Sequence, residues 1–210
     1  MSLIVFNISG KAESGKNEVC RIIKEHYESK EIKVCEMLFA KHIKQYAKDY
    51  FGWDGEEETK PRDLLQKIGT NLIRDKMNNP NFHANRLIED VNILSNYFEI
   101  FVISDCRFPN EVGLVRQAFQ DNVITIRINR PNHISELTQE QLNHQSEAAL
   151  DNYNHWDFVI NNNGSIEQLK SKLDNMMTEE GAIKYGVRNW EDGMPFNRYN
   201  VECYRDYSSS

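Results

Sequence analysis

The most informative part of this 210-residue chain is GKAESGKN, residues 10–17. It follows LIVFNIS, residues 3–9, an almost wholly apolar run that is typical of a strand buried on both faces of a parallel sheet. The residues after it form an amphipathic helix pattern, with apolar side chains at Val19, Ile22, Ile23 and Tyr27. The loop fits the pattern G-x-x-x-x-G-K in the required strand-to-helix context, and therefore predicts a site that wraps around phosphate groups.

The chemistry of this loop follows from its residue types. Glycines let the backbone approach phosphate closely, successive N–H groups form an anion nest, and the helix N-terminus adds partial positive charge. Lys16 can reach the β- and γ-phosphates of ATP. The predicted ATP phosphate site comprises Gly10, Lys11, Glu13, Ser14, Gly15, Lys16 and Asn17.

Two positions depart from the usual pattern. Asn17 stands where Ser or Thr normally binds Mg²⁺, although an amide oxygen can also ligate magnesium directly or through water. Glu13 places a negative charge in the loop, which is unfavourable for phosphate binding unless the side chain points outward. The alternative interpretation is an ordinary glycine-containing turn between a strand and a helix.

Composition excludes several other classes of protein. There are 25 Lys and Arg against 32 Asp and Glu, a net charge of −7, so the broad basic surface that binds nucleic acid is not expected. No apolar run of about 18 residues suggests a membrane span. Four scattered cysteines and no HExxH-type spacing argue against a disulfide scaffold or a structural zinc site, and a cytoplasmic protein is expected.

Strand and helix patterns alternate along the chain, which predicts an α/β fold with a mainly parallel sheet and right-handed crossovers. Residues 132–154 are polar and irregular, and the pattern ends after residue 178. Further strands are predicted over residues 32–37, 98–104, 123–128 and 156–160. Further helices are predicted over residues 39–51, 62–77, 82–97, 110–119 and 165–177.

A second group of charged residues follows the apolar strand pattern in FVISDCRFPNE, residues 101–111. Ligands of open α/β sheets bind beyond the carboxyl ends of strands, so Asp105 is expected near the 10–17 loop if the two strands are neighbours. There it can hold Mg²⁺ or orient the attacking group, while Arg107 binds an acceptor phosphate. Alternatively, Asp105 caps the following turn and Arg107 pairs with Glu111 at the surface.

Three further arginines are candidates for the same region. Arg62 and Arg74 lie twelve residues apart on one predicted helix, so both can line one cleft but cannot meet at one point. Arg130 lies just past a strand, where ligands are expected. The alternative for each of them is a solvated basic face.

In order and spacing, four stretches resemble the phage-type deoxynucleoside monophosphate kinases, a branch of the P-loop nucleoside monophosphate kinases. The resemblance covers roughly residues 3–173. The stretches are GKAESGKN at 10–17; RDLLQKIGTNLIRD at 62–75; FVISDCRFPNE at 101–111 with ITIRINRPN at 124–132; and HQSEAALDN at 144–152 with DFVINNNGSIEQL at 157–169.

The resemblance implies a three-layer α/β fold with a parallel five-stranded sheet in a domain over residues 1–178. It also implies a helical acceptor-binding insert at about 39–97 and a lid at about 131–156. Residues 179–210 form an aromatic-rich extension outside the resemblance, which suggests a homodimer contact. Unlike many relatives, this chain has no arginine between Pro131 and Trp156.

The resemblance also implies roles for individual residues. Lys16, Asp105 and Arg107 would be catalytic, and Asn17 with Asp105 would hold the metal. Arg130 would lie near the hinge of the lid and His144 in or beside it. Ser146 and Glu147 match the family pattern, but no chemical role follows for them. The acceptor phosphate would bind Arg62, Arg74 and Arg107.

The hypothesis is therefore ATP- and Mg²⁺-dependent phosphoryl transfer to a (deoxy)nucleoside monophosphate, in the host cytoplasm if a phage encodes the chain. One alternative is a P-loop kinase for another small phosphorylated acceptor, such as phosphomevalonate or dephospho-coenzyme A. A second alternative is a nucleotide-binding protein without catalysis. Transfer between two phosphates needs charge neutralisation and exclusion of water rather than a strong general base.

Overall fold

Five parallel strands form the central sheet of the computed structural model, which describes residues 3–135 and 137–178. The spatial order is β2-β3-β1-β4-β5. The central strand β1 pairs with β3 on one side and β4 on the other, so the loop that follows β1 leaves from the middle of the carboxyl edge. The strands are β1 Ile4–Gly10, β2 Val34–Met37, β3 Ile100–Cys106, β4 Val123–Asn129 and β5 Phe158–Asn161.

Helices connect the strands and cover both faces of the sheet. In the described part of the chain there are eight α-helices, together with a π-helix at Lys67–Lys76 and a 3-10 turn at Gln120–Asn122. The α-helices are α1 Lys16–Glu28, α2 Lys41–Phe51, α3 Arg62–Gln66, α4 Phe82–Leu94, α5 Pro109–Phe119, α6 Gln139–Asn143, α7 Gln145–Ala148 and α8 Ile166–Met177.

Two apolar clusters make the fold a three-layer sandwich. Alternate side chains of a strand point to opposite faces, so Phe6 and Ile8 pack with α1 and α8, whereas Val5 packs with α4 and α5. A third, smaller cluster joins α2, α3 and the π-helix through Ile43, Ala47, Leu65 and Ile73. The predicted three-layer α/β fold with a parallel five-stranded sheet is confirmed.

The segment predicted as one helix over residues 62–77 differs from expectation. It begins as α3 and continues as a π-helix, whose backbone bonds skip one more residue than those of an α-helix. The α-helical spacing used to place Arg62 and Arg74 is therefore wrong for this segment. Both side chains nevertheless line the same cleft.

Other boundaries shift by only a few residues. Strand β2 begins at Val34 because Glu31, with φ 62°, is still in the turn after α1. Helix α8 is capped as its sequence predicts: the Ser165 hydroxyl accepts from the Gln168 N–H, and the Gln168 side chain accepts from the Ser165 N–H. The aromatic-rich extension 179–210 lies outside the described residues. Among those described, no helix is long and apolar enough to cross a bilayer.

Candidate active site

The 10–17 loop, hereafter the glycine loop, joins the end of β1 to the start of α1. Gly15 is the N-cap of α1 and has φ 97°, a conformation that only glycine adopts without strain. At Gly10, an added Cβ would lie 2.6 Å from the Ile128 carbonyl oxygen on the neighbouring strand. Both glycines of the motif are therefore required by the backbone path itself.

Lys16 lies folded over this loop and is 8% exposed. Its Nζ donates to the carbonyl oxygens of Gly10 at 2.8 Å and Lys11 at 2.6 Å. Burial and, to a lesser degree, the nearby Arg107 guanidinium lower the pKa of Lys16 to about 7. The two carbonyl oxygens offer the Lys16 ammonium only partial negative charge, whereas a phosphate group carries full negative charge. The ammonium is therefore suited to an anionic ligand.

Glu13 is held by residues just beyond β4. Its Oε2 lies 3.1 Å from His133 Nε2 and accepts from the Ser135 hydroxyl at 2.8 Å, while Arg130 donates to the Glu13 carbonyl at 3.4 Å. The carboxylate therefore contacts segment 131–156 instead of facing inward. This contact accounts for a non-glycine residue at φ 61° in the loop, because the hydrogen bonds offset the backbone strain.

Asp105 lies at the same edge of the sheet as the glycine loop, because β3 is the neighbour of β1 and Cys106 is in register with Ser9. Its two carboxylate oxygens accept from the backbone N–H groups of Phe39 at 2.7 Å and Ala40 at 3.1 Å. Asp105 thus fixes the chain that enters α2 rather than the turn that follows it. Asp105 also lines the cleft described next, and each carboxylate oxygen can accept more than one hydrogen bond.

A cleft with a volume of about 160 Å³ opens beside the glycine loop, between α2, α3, the π-helix, the β3–α5 turn and segment 131–156. We call it the arginine cleft, because all three arginines predicted to bind the acceptor line it. Its polar lining is Lys44, Lys60, Arg62, Gln66, Thr70, Arg74, His83, Asp105, Arg107, Glu111, Gln141, Ser146 and Glu147. Its larger apolar side chains are Phe39, Ile43, Leu65, Phe108 and Leu137.

Arg74 occupies the buried wall of this cleft. Its guanidinium pairs with Glu111, donates to the Pro80 carbonyl, and stacks on the Phe108 ring at 3.9 Å from the centroid. Burial raises the pKa of Glu111 to about 7, and Arg74 opposes that shift. Glu111 also accepts from the Phe108 N–H at 3.0 Å, so the pair ties the π-helix to the start of α5.

The other two arginines are more accessible. Arg62 pairs with Glu57 at 2.8 Å near the mouth of the cleft. The backbone N–H of Arg107 donates to Glu111 at 2.7 Å, but its guanidinium reaches Glu147 at 2.7 Å. The surface pair between Arg107 and Glu111 is therefore not formed by their side chains.

Sequence reasoning gave no role to Glu147, which joins the loop to the cleft. Its Oε2 accepts from the Ala12 backbone N–H at 2.9 Å and from Arg107. Only its place in the HQSE stretch pointed to this residue in the sequence. The contact between Glu147 and Ala12 spans 135 residues of chain and therefore leaves no local sequence pattern. His144, by contrast, caps the four-residue helix α7 through Ser146 and does not line the cleft.

A buried cation beneath the loop was also not predicted as a site residue. Arg127, on β4, donates to the Ser9 hydroxyl at 3.1 Å and to Asp151 at 3.3 Å. Asp151 also pairs with Lys11 at 2.9 Å. Burial lowers the pKa of Arg127. These contacts fix the base of the glycine loop to β4 and to segment 131–156.

A glycine loop with a buried lysine at the middle of a parallel sheet, facing an arginine-lined cleft at the same edge, defines the class of P-loop kinases. The family model described as "Deoxynucleotide monophosphate kinase" matches residues 36–173. A relative in Acanthamoeba polyphaga mimivirus, described as "Putative deoxynucleotide monophosphate kinase", is 30% identical over 195 residues. That match covers 81% of this chain and 94% of the relative.

The chain belongs to the deoxynucleotide monophosphate kinase family, and the predicted family and enzyme class are confirmed. Among solved structures, the chain is similar to the APS kinase CysC of Mycobacterium tuberculosis in complex with AMPPNP and APS. That match has a TM-score of 0.46 and 11% identity, and covers 83% of this chain and 97% of the other. A mutant of the same kinase matches with the same TM-score and identity.

Proposed function

We propose that the protein transfers the γ-phosphate of ATP to a deoxynucleoside monophosphate and releases the two diphosphates. The observation that carries this proposal is the position of two anion-binding regions at one edge of the sheet. The glycine loop with Lys16 forms one region and the arginine cleft forms the other, and Arg107 lies close enough to Lys16 to lower its pKa. Two polyanions must meet at such a place for a phosphoryl group to pass between them.

On the donor side, the backbone N–H groups at the start of α1 and the Lys16 ammonium would bind the ATP phosphates. The two carbonyl partners of Lys16 hold its Nζ over the loop, so little side-chain entropy is lost when phosphate replaces them. Lys11, Ser14 and Asn17 complete the predicted phosphate site. Glu13 belongs to it through the backbone, because its carboxylate is bound to His133 and Ser135.

On the acceptor side, Arg107 and Arg62 are the cations with which the incoming phosphate would pair. Arg74 would contribute positive charge from the buried wall of the cleft. It would remain paired with Glu111, which is 2% exposed. The acceptor already carries a negative phosphate, so these residues neutralise charge and no general base is needed. Gln66, Thr70 and Gln141 offer hydrogen-bonding groups for the base and sugar.

The residues present fit a magnesium site of the kind that most nucleotide kinases use. Among the described residues, no three His, Cys, Asp or Glu side chains cluster as a metal cage. Magnesium bound through one or two protein oxygens, phosphate oxygens and water needs no such cage. Asn17 in the first turn of α1 and Asp105 at the end of β3 would hold the ion, which neutralises the phosphates of bound ATP.

Segments on either side of the cleft would exclude water during transfer. Residues 39–97 would act as the acceptor-binding insert and residues 131–156 as the lid, with Arg130 near the hinge. In this arrangement Glu13 and Glu147 are the contacts through which the lid meets the glycine loop. Exclusion of water prevents ATP hydrolysis from competing with transfer.

The test is a coupled assay of ADP release with Mg²⁺ across a panel of acceptors. The panel contains dTMP, dGMP, dCMP, hydroxymethylated dCMP, phosphomevalonate and dephospho-coenzyme A. We expect turnover with at least one deoxynucleoside monophosphate. Turnover only with one of the last two acceptors would favour a different P-loop kinase, and ATP binding without transfer to any acceptor would favour a non-catalytic binder.

The matched variant is Lys16→Ala, for which we expect kcat to fall on the order of a thousandfold because charge stabilisation of the transferred group is lost. The fold should persist, because Lys16 Nζ donates to backbone carbonyl oxygens of the loop itself, those of Gly10 and Lys11. Circular dichroism and thermal unfolding check that point. Near-normal turnover in Lys16→Ala would remove this lysine from the mechanism.

A further inference from the structure

The lid has an unusual charge balance for a segment that closes over a triphosphate. Residues 131–156 contain no lysine or arginine, but they contain the acids Glu136, Glu140, Glu147 and Asp151. Such a lid brings no lysine or arginine to the transferred phosphate. The lysines and arginines of the core must therefore supply the permanent positive charge there.

Two of these acids bind core cations. Asp151 pairs with Lys11 and Arg127, and Glu147 pairs with Arg107. The Glu147 side chain is only 9% exposed, whereas that of Asp151 is 37% exposed. Among the lid acids that the structure describes, Glu147 is therefore the one that loses most of its hydration.

A largely buried carboxylate beside a phosphate-binding loop needs an explanation. Its charge repels phosphate, and its burial costs hydration free energy unless strong partners compensate. Glu147 has two such partners at its Oε2, the Ala12 N–H at 2.9 Å and the Arg107 guanidinium at 2.7 Å. One oxygen atom thereby fixes the distance between the glycine loop and the guanidinium.

We propose that Glu147 is a positioning residue, which aims the Arg107 guanidinium at the space between the glycine loop and the arginine cleft. A guanidinium has five N–H donors, so the Nη1 bond to Glu147 leaves others for phosphate oxygens. The lid thus acts through an anion that orients a core cation. This inference rests on the proposed function, because Arg107 is assigned there to the phosphates.

The test is a double-mutant cycle with Glu147→Gln, Arg107→Ala and the double variant. Glutamine keeps the side-chain length and can still accept from the Ala12 N–H, but it loses the charge that orients the guanidinium. We expect kcat of Glu147→Gln to fall on the order of tenfold to a hundredfold, since small misplacements of a reacting group have such effects. The KM for ATP should change little.

The decisive result is the effect of the same substitution without the arginine. If Glu147 acts through Arg107, then Glu147→Gln has nothing left to orient in the Arg107→Ala background and changes kcat there less than about twofold. The effects of the two substitutions are then strongly non-additive. Equal effects of Glu147→Gln in both backgrounds would overturn the proposal. Glu147→Asp provides a second variant, in which a shorter carboxylate keeps the charge and should retain the coupling to Arg107 with a smaller loss of kcat.

A matched control comes from the same segment. Glu140 is an exposed lid acid that does not line the cleft, so Glu140→Gln removes one lid charge without touching Arg107. We expect its kcat to stay within about twofold of the parent, because distant exposed charges are screened. An equal loss in Glu140→Gln would mean that the net charge of the lid, rather than the orientation of Arg107, causes the effect.

The four proteins of the mutant cycle are the parent, Glu147→Gln, Arg107→Ala and the double variant. They also distinguish failure of this proposal from failure of the proposed function. Absence of turnover in the parent with every deoxynucleoside monophosphate would contradict the kinase function itself. Calorimetric affinity for dTMP, dGMP and dCMP then replaces kcat in the cycle. Weaker binding in Glu147→Gln that disappears in the Arg107→Ala background would still support the positioning role, and additive losses of affinity would reject it.

Discussion

The glycine loop and the arginine cleft, the two proposed anion sites, are built in different ways. In the loop, one stretch of eight residues supplies the helix N-terminus, and Lys16 has backbone carbonyls as partners. In the cleft, each arginine comes from a different element and is paired with a carboxylate: Arg62 with Glu57, Arg74 with Glu111 and Arg107 with Glu147. The proposed donor site is thus local in sequence, whereas the proposed acceptor site is held together by ion pairs.

The two regions are therefore vulnerable to different substitutions. Backbone amides and a helix terminus form whenever the strand, turn and helix form. A cleft built from distant ion pairs depends on tertiary packing, and loss of one partner leaves the other charge uncompensated. Substitutions in the loop should therefore impair binding and catalysis, while substitutions in the cleft wall should also reduce stability.

The largest effect on stability is expected for Arg74→Met, which leaves the buried Glu111 carboxylate without its cation. Removal of one partner of a buried pair costs about 3–5 kcal/mol. Urea unfolding measures this loss. The matched control is Arg62→Met, whose more exposed pair with Glu57 should contribute less than about 1 kcal/mol. Equal losses of unfolding free energy in both variants would show that the buried pair in the cleft wall stabilises the fold no more than the exposed pair at its mouth.

Next in size is the metal dependence of the donor site. Asn17→Ala should raise the Mg²⁺ concentration for half-maximal activity by roughly 10–100-fold, as expected when a group that orients a metal or its water is removed. Asn17→Ser is the matched variant and should stay close to the parent, because a hydroxyl also binds magnesium at this position. An unchanged Mg²⁺ requirement in Asn17→Ala would remove this amide from the metal site.

A third prediction concerns pH. The pKa of Lys16 is lowered to about 7, and bound phosphates would raise it again by attraction of the ammonium. ATP binding should therefore take up a proton above pH 7, and the affinity should weaken as pH rises from about 7 to 9. The slope cannot exceed about tenfold per pH unit for one proton.

Calorimetry in buffers of different ionisation enthalpy measures this proton uptake directly. Lys16→Arg is the control, because an arginine remains charged throughout this range and should take up no proton. An affinity that does not change between pH 7 and 9 would contradict the lowered pKa. The cleft arginines should not make the ATP affinity depend on pH, because they also remain charged between pH 7 and 9.

The smallest effect is expected for Glu13→Gln. The carboxylate is bound to His133 and Ser135, so its charge should influence ATP affinity by less than about fivefold, or roughly 1 kcal/mol. Glutamine keeps the contact with Ser135 and leaves the backbone strain unchanged. Equilibrium binding of ATP checks this expectation. A tightening of more than tenfold would show that the carboxylate repels phosphate and belongs to the loop rather than to the lid contact.

Much of the architecture could be predicted, because strong local patterns specify it. The buried strand before Gly10, the amphipathic helix after Lys16 and the capping box at Ser165 are all short-range features, and each element was observed within a few residues of its prediction. The π-helix was not predictable, because its apolar spacing is close enough to that of an α-helix to be taken for one.

The glycine loop could be identified from the order of residues alone, since its glycines, lysine and flanking elements are contiguous and their chemistry depends on backbone geometry. The order of residues also indicated that Asp105 and Arg107 follow a buried strand. The contacts of these groups became visible in the folded chain: Asp105 holds the start of α2, and Glu147 joins Arg107 to Ala12. The physical reason is that electrostatic partners are chosen by distance in space, and a pairing across 135 residues of chain has no period or motif to reveal it.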